Sequence, residues 1–299
     1  MRHLKCRACK RCDGIACKGE LPGMGGVFDS AIFIENVNAW KRLYKEYAKK
    51  IEEDKEHINI AKIRLAPMAG GVQNVGWKDE KDFYFSMIEG AHFAKLALSV
   101  GDGEPDEKLE YGLLALKHVG AKAAVFLKPY PQALLLERIE KARESAEIIG
   151  VDIDSYNIIT MRDKVSLEEK DGRSLKELKK KACLPFAIKG IFSKKDIELT
   201  KEVLPDIAII SNHGGRIERD VQSSAMFLKE YGRELSKYAG QLWVDGGIRN
   251  YQDVMMASFL GASEVLIGRP IISAMIRGGQ DEIKSYVSSI TIRGRKEDR

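Results

Sequence analysis

The sequence has no long hydrophobic run. None of its apolar stretches approaches the roughly 18 residues that a membrane-spanning helix requires. The N-terminus, MRHLKCRACKRCDG, also has no apolar segment of the kind that a secretory signal peptide contains. Charge is nearly balanced, with 49 Lys and Arg against 44 Asp and Glu, so no excess of one sign indicates a nucleic-acid surface. We therefore expect a soluble, cytoplasmic protein with neither a membrane span nor a nucleic-acid partner.

Short apolar runs alternate with longer amphipathic stretches after about residue 60. The eight runs are 62–68, 94–100, 123–129, 147–153, 184–190, 207–212, 242–247 and 264–270. They are apolar throughout, as expected for parallel strands that are covered on both faces. Helical patterns lie between them at 79–90, 106–120, 131–146, 193–203, 224–238, 251–260 and 271–287. This order predicts an α/β protein with a (β/α)8 TIM barrel. A doubly wound open sheet is the alternative, but no GxGxxG sequence opens its first strand-helix unit.

The predicted barrel defines the organisation of the chain. We expect a cysteine-rich N-terminal segment at 1–26, a helical lead-in at 27–60, the barrel at 61–290 and a charged tail at 291–299. Within the barrel, Ser193 and Asp196 have the spacing of a capping box at the start of a helix.

A barrel places its catalytic groups at the C-terminal ends of the strands. Polar residues collect at those ends in this sequence: Ser99, Lys128, Asp152, Lys189, His213, Asp245 and Arg269. This edge is therefore the predicted site.

The segment SNHGGR follows the sixth predicted strand. Gly214 and Gly215 allow a sharp turn, whereas a turn alone requires neither His213 nor Arg216. A histidine titrates near neutral pH and can act as a general base, and an arginine can bind a substrate carboxylate. The alternative is a helix-capping loop with a surface arginine.

Glycine and arginine follow the last two predicted strands. Gly246, Gly247 and Arg249 lie in VDGGIR, and Arg269 lies in IGRP. Free backbone amides and guanidinium groups suit a phosphate, although two ordinary loops are the alternative. Lys189 ends the fifth strand, where either an anionic group meets its charge or the side chain extends to solvent.

The segments KGI, SNHGGR, DGGIR..DV and LGA..VLIGRP, in this order, resemble the FMN-dependent α-hydroxy-acid dehydrogenases and oxidases, which include glycolate oxidase and lactate oxidase. The resemblance covers residues 184–275 and continues more weakly over 62–183. It implies FMN in the barrel mouth, with Lys189 near N1 of its ring and His213 as the base. Arg216 is implied to bind the substrate carboxylate, and Asp152 to pair with His213. The remaining implied FMN contacts are Ala66, Pro67, Met68, Ala69, Ser99, Asp245, Gly246, Gly247, Arg249, Gly268 and Arg269.

The substrate side departs from the family pattern. The family's N-terminal substrate tyrosine has no match, and Phe-Leu-Lys-Pro replaces a Gln-x-Tyr pattern, so that Lys128 takes the place of an expected group at the cofactor. An arginine expected seven residues after Asp152 is absent, and Arg162 is a candidate substitute. The electron acceptor is not specified by the sequence, and the resemblance implies a homo-oligomer.

The resemblance implies an FMN-dependent oxidoreductase that oxidises a small 2-hydroxy acid to the 2-oxo acid by hydride transfer to flavin N5. Two alternatives are an FMN-dependent isomerase of the type 2 isopentenyl-diphosphate kind and a non-catalytic flavin and metal redox sensor.

Four of the five cysteines lie within twelve residues. Cys6, Cys9, Cys12 and Cys17 form a C-x2-C-x2-C-x4-C pattern. Such spacing lets thiolates converge on one centre, so we predict an iron–sulfur cluster or zinc. A flexible thiol-rich tail and a pair of disulfides are the alternatives.

Overall fold

Eight parallel strands form the centre of the protein in a computed structural model, which describes residues 31–72, 76–157, 165–215, 217 and 222–291. The strands are β1 (Lys62–Leu65), β2 (Ser99–Gly101), β3 (Ala123–Leu127), β4 (Ala146–Asp152), β5 (Phe186–Ile191), β6 (Ile207–Ile210), β7 (Gln241–Asp245) and β8 (Glu264–Ile267). Each lies within or next to one of the eight apolar runs. Continuous runs of buried β-branched and apolar residues thus formed strands that are covered on both faces.

The strands close into a barrel. Their order is β1-β8-β7-β6-β5-β4-β3-β2, with every hydrogen-bonded pair parallel. A single parallel bridge between Arg64 and Ala97 joins the two end strands. The predicted (β/α)8 barrel is confirmed.

Helices surround the strands. They are α1 (Ala31–Asp54), α2 (Glu80–Phe93), α3 (Glu107–Val119), α4 (Gln132–Ala142), α5 (Gly172–Ala182), α6 (Lys194–Val203), α7 (Ser224–Leu235), α8 (Tyr251–Phe259) and α9 (Arg269–Thr291). The sequence patterns did not predict α5. A long connection separates it from β4 and interrupts the regular alternation, although Asp171 caps it by accepting a hydrogen bond from the Ser174 amide.

The predicted capping box of α6 is only half correct. The Ser193 hydroxyl accepts the Asp196 amide, but the Asp196 carboxylate accepts the amide of Phe192 instead of that of Ser193. The reciprocal arrangement occurs at α8, between Asn250 and Asp253.

The barrel interior is filled and its N-terminal end is closed. Its inner side chains are Ala124, Phe126, Ile148, Ala187, Ile207, Ile209, Trp243 and Leu266. Beneath them, the buried guanidinium of Arg64 binds Glu264 at 2.6 Å and Glu147 at 2.8 Å, and it lies 4.7 Å from the centre of the Trp243 ring. Ligand access is therefore at the opposite, C-terminal end. Within the described ranges, no helix combines the length and apolar character needed to cross a bilayer.

Candidate active site

A cleft opens at the C-terminal ends of the strands. Its open space measures about 680 Å³, a volume that includes space open to solvent. Its lining includes the predicted residues Ala66, Pro67, Met68, Ala69, Lys189, His213, Asp245, Gly246, Gly247, Arg249, Gly268 and Arg269. The barrel therefore brings together side chains that are up to about 200 residues apart in the chain.

Lys189 is the buried cation at the centre of this site. Its Nζ lies 3.3 Å from Asp152 Oδ1 and 3.4 Å from Asp245 Oδ2, and it donates to Ser211 Oγ at 3.1 Å. Burial lowers the pKa of Lys189, but Asp152, Asp245 and Asp154 outweigh that effect and raise it. Lys189 therefore stays protonated.

Asp152 links two lysines to the histidine. Its Oδ2 binds Lys128 Nζ and also lies 3.2 Å from His213 Nε2. Burial raises the pKa of Asp152, but Lys128, Lys189 and His213 together hold it well below its usual range. Asp152 is therefore ionised, and its charge is shared among three partners.

His213 lies between two carboxylates. Its Nε2 faces Asp152, and its Nδ1 lies 2.9 Å from Asp154 Oδ1 and 3.0 Å from Asp154 Oδ2. Carboxylates accept hydrogen bonds, so a ring nitrogen that carries a proton can donate it to the carboxylate that it faces. The sequence reasoning missed Asp154. The Asp-x-Asp spacing was the available signal, because it places a second carboxylate just after the C-terminal end of β4, where a barrel gathers its functional groups.

Lys128 is buried next to other charged groups. Its backbone amide donates to Asp102 Oδ1 at 2.8 Å, and Asp102 Oδ2 lies 3.4 Å from Arg138 Nη1. Burial raises the pKa of Asp102 to about 7, although Lys128 and Arg138 oppose the shift. Lys128 thus belongs to a buried ionic network beside the cleft and does not line the cleft itself.

Helix α1 positions the histidine loop through Asn36. The Asn36 amide donates to Asn212 Oδ1 at 2.8 Å, and its oxygen accepts from Asn212 Nδ2 at 3.1 Å and from the Ser224 amide at 3.0 Å. Asn36 is 1% exposed, so these bonds are shielded from water. The sequence reasoning missed this residue, because an asparagine on a helix 176 residues away carries no local sign of the contact.

The glycines after β7 bring the backbone close to α1. Gly246 and Gly247 have φ of +95° and +84°, values that favour glycine. The indole of Trp40 donates to the Gly246 carbonyl at 2.8 Å, and a β-carbon on Gly247 would lie 1.9 Å from the Asn36 carbonyl oxygen. Only glycine fits at position 247. Because neither glycine has a side chain, the loop backbone at 246–247 stays accessible to a ligand.

Arginine side chains border the same loop. Arg269 Nη2 donates to the Gly214 carbonyl at 2.7 Å, and its guanidinium lies 4.1 Å from the centre of the Phe33 ring. Arg249 donates through Nη1 to the Ile248 carbonyl at 2.9 Å. Arg269 also begins α9, whose N-terminus faces the cleft, so positive charge and helix dipole act together on a bound anion.

These residues fit a flavin mononucleotide. The buried Ser99 hydroxyl and Asp245 Oδ1 have no hydrogen-bond partner among the described residues, so each has an unused polar group. The glycine loop and the two arginines suit a phosphate, and Lys189 supplies a buried cation for an electron-rich ring.

Several predicted residues lie outside the described residues. Arg216 and Arg162 are among them, as are the four cysteines of the N-terminal segment. Within the ranges that are described, no group of three or more His, Cys, Asp or Glu side chains is arranged to hold a metal ion.

The tight contact at Gly247 makes a testable prediction. We expect Gly247→Ala to destabilise the protein by about 2–4 kcal/mol, because left-handed strain adds to overpacking against α1. FMN affinity should also fall, because the loop must move. The matched control is Gly261→Ala, where φ is +93° but nothing lies within 4 Å of an added β-carbon, so that only the strain of about 1–2 kcal/mol remains. Urea unfolding measures both; equal losses would contradict the close approach.

The chain resembles oxidases in both sequence and fold. It is 36% identical over 183 residues to a 2-hydroxyacid oxidase of Dictyostelium discoideum, an alignment that covers 59% of this chain and 45% of that relative. It is 34% identical over 106 residues to a 4-hydroxymandelate oxidase of Amycolatopsis orientalis, covering 35% of this chain and 29% of that relative. The chain thus spans less than half the length of these curated relatives.

Solved structures share the barrel. A mandelate oxidase variant with benzoyl-formic acid superposes with a TM-score of 0.66 at 20% identity, covering 89% of this chain and 83% of that one. Mandelate oxidase with (S)-2-phenylpropionate gives a TM-score of 0.58 at 22% identity, covering 76% of this chain and 70% of that one. At such identities the likeness concerns the fold alone.

The profile of the FMN-dependent dehydrogenases matches residues 120–291, more than half of the chain. That segment contains β3 to β8 and therefore His213, Lys189 and the glycine–arginine loops. The protein belongs to the FMN-dependent dehydrogenase family.

Proposed function

We propose that the protein is an FMN-dependent oxidoreductase that converts a small 2-hydroxy acid to the 2-oxo acid. The observation that supports this most is the pairing of His213 with buried carboxylates beside Lys189 and the glycine–arginine cleft. Such a site combines a group that can accept a proton with a cleft that can bind a cofactor. The names of the aligned relatives, 2-hydroxyacid oxidase and 4-hydroxymandelate oxidase, point to the same substrate class.

The chain's own residues would hold the cofactor in two places. Gly246, Gly247, Arg249, Gly268 and Arg269 border the space for the phosphate, with Asp245 beside them. The other place is for the ring, with Ala66, Pro67, Met68, Ala69, Ser99 and Lys189 around it and Lys128 behind Asp152. FMN, when bound there, supplies the hydride acceptor.

His213 would act as the base for the substrate hydroxyl. The substrate gives up two electrons with its α-hydrogen and one proton from its hydroxyl, so a base is needed as the carbonyl forms. To accept that proton, Nε2 must be unprotonated and must separate from Asp152. Lys189 would offset negative charge on the cofactor side, and Arg216 would bind the substrate carboxylate.

A visible spectrum with anaerobic titration tests the proposal. Purified protein should be yellow or should bind added FMN, and glycolate, lactate or mandelate should bleach the flavin absorbance without oxygen. Colourless protein that refuses FMN contradicts the proposal. NADPH-dependent turnover of isopentenyl diphosphate without bleaching by hydroxy acids would favour the isomerase, and no response to either would favour the redox sensor.

We also infer a metal site at the N-terminal cysteines from their spacing alone. Cys6, Cys9, Cys12 and Cys17 provide four soft ligands that suit an iron–sulfur cluster or zinc. Anaerobically purified protein should contain iron with sulfide, or zinc, and Cys9→Ser should lower that content. Absence of both metals in the intact protein would overturn this inference.

A further inference from the structure

We propose that Asp154 is the carboxylate that holds the proton on Nδ1 of His213 and so leaves Nε2 as the acceptor of the substrate proton. Asp154 would be a positioning residue, acting through His213. Its catalytic consequence rests on the proposed function, whereas its contact with the ring does not.

The contact between Asp154 and the ring is buried and close. Both Asp154 oxygens lie within 3.0 Å of Nδ1, at 2.9 and 3.0 Å, and the residue is 1% exposed. The main chain makes room for it at Gly190, where an added β-carbon would lie 2.2 Å from Asp154 Oδ1. β5 also shifts its register next to that glycine. The fold thus leaves a space into which this carboxylate fits.

Asp152 and Asp154 differ in what else they bind. Asp152 shares Oδ2 between Lys128 and His213, and its Oδ1 faces Lys189. Among the described residues, His213 is the sole ion-pair partner of Asp154 within 4.0 Å. Asp152 therefore contacts two lysines as well as the imidazole, whereas the close ion pair of Asp154 is with the imidazole.

This difference decides which nitrogen keeps its proton. A carboxylate cannot donate a hydrogen bond, so a neutral His213 must present N–H to one carboxylate and a lone pair to the other. A nitrogen lone pair is repelled less by Asp152 than by Asp154, because Lys128 and Lys189 offset the charge of Asp152. Asp152 faces Nε2, so the lone pair is favoured on that nitrogen. The neutral ring therefore keeps its proton on Nδ1, and Nε2 is the free base.

NMR of the imidazole nitrogens tests this directly on the full-length protein with FMN. The sequence has five histidines, and His213→Gln identifies the His213 signals by their loss. In the wild type we expect the neutral His213 ring to carry its proton on Nδ1. A wild-type ring with the proton on Nε2 would overturn the proposal without any variant.

Paired variants separate the two carboxylates. Asp154→Asn should shift the neutral ring towards the Nε2–H form, because the amide can donate to Nδ1, whereas Asp152→Asn should leave the Nδ1–H form in place. Gly190→Ala, which displaces the Asp154 carboxylate, should act like Asp154→Asn. The matched control is Asp281→Asn on the exposed face of α9, which should leave the ring unchanged. An unchanged tautomer in Asp154→Asn, or a shift only in Asp152→Asn, would overturn the assignment.

Kinetics distinguish this inference from the proposed function. If hydroxy acids reduce the flavin, Asp154→Asn should slow that step between about 10-fold and about 10⁴-fold, the upper bound being complete loss of the correctly oriented base. If NMR shows the expected tautomer but no hydroxy acid reduces the flavin, the proposed function is rejected and the Asp154 assignment stands. Wild-type reduction rates together with an unchanged tautomer in Asp154→Asn would reject the assignment alone.

Discussion

His213→Gln is expected to slow anaerobic flavin reduction by 2-hydroxy acids by about 10²–10⁴-fold, the usual contribution of a general base. Glutamine is polar and of similar reach, but it does not accept a proton near neutral pH. FMN binding should be nearly unchanged, because the glycine and arginine residues proposed to hold the phosphate stay in place. The loss should therefore appear in the reduction rate and not in the flavin content.

Stopped-flow absorbance under anaerobic conditions measures this rate. The matched control is His118→Gln, because His118 is a half-exposed histidine on α3 that pairs with Glu89. It should reduce at the wild-type rate. Wild-type reduction in His213→Gln would show that another group takes the hydroxyl proton and would contradict the proposed role.

Lys189→Met is expected to lower the free energy of unfolding by about 3–5 kcal/mol. Asp152 and Asp245 lie 3.3 and 3.4 Å from Lys189 Nζ, and the lysine side chain is 3% exposed. Removing the cation leaves buried negative charge that water cannot solvate, and this cost exceeds the gain from a well-packed apolar side chain. The variant should also hold FMN more weakly once the flavin is reduced.

Urea unfolding of the protein with and without FMN measures the effect. Lys195→Met is the control, because Lys195 pairs with Glu169 at the surface and such pairs contribute about 0–1 kcal/mol. A loss at position 189 no greater than at position 195 would mean that the buried ionic cluster does not depend on this lysine.

The strands were predictable because burial on both faces leaves a clear pattern. β6 and β8 are runs such as IAII and EVLI that contain little besides branched apolar residues, and they end where glycine and polar residues begin. Helix α5 was missed because the long connection after β4 broke the alternation, and because its sequence, GRSLKELKKKA, is mostly polar. Its buried positions Leu175 and Leu178 are too few to stand out.

Much of the cleft could be predicted because a barrel gathers the ends of its strands at one face. Lys189 and Asp245 could be assigned to one site from the chain alone, since each ends a predicted strand. Lys128 illustrates the limit of that rule. It follows the last residue of β3, but its ammonium group turns towards Asp152 and lies beside the cleft.

By itself, the sequence determined the parallel barrel, the edge on which its polar residues meet and the residue types available there, because these depend on local periodicity and chain order. Only the tertiary structure decided which groups touch. Asp154 lies against His213 from 59 residues away, and Asn36 binds Asn212 across 176 residues. Such contacts depend on side-chain direction and on space left by glycines such as Gly190, and neither leaves a periodic trace in the order of residues.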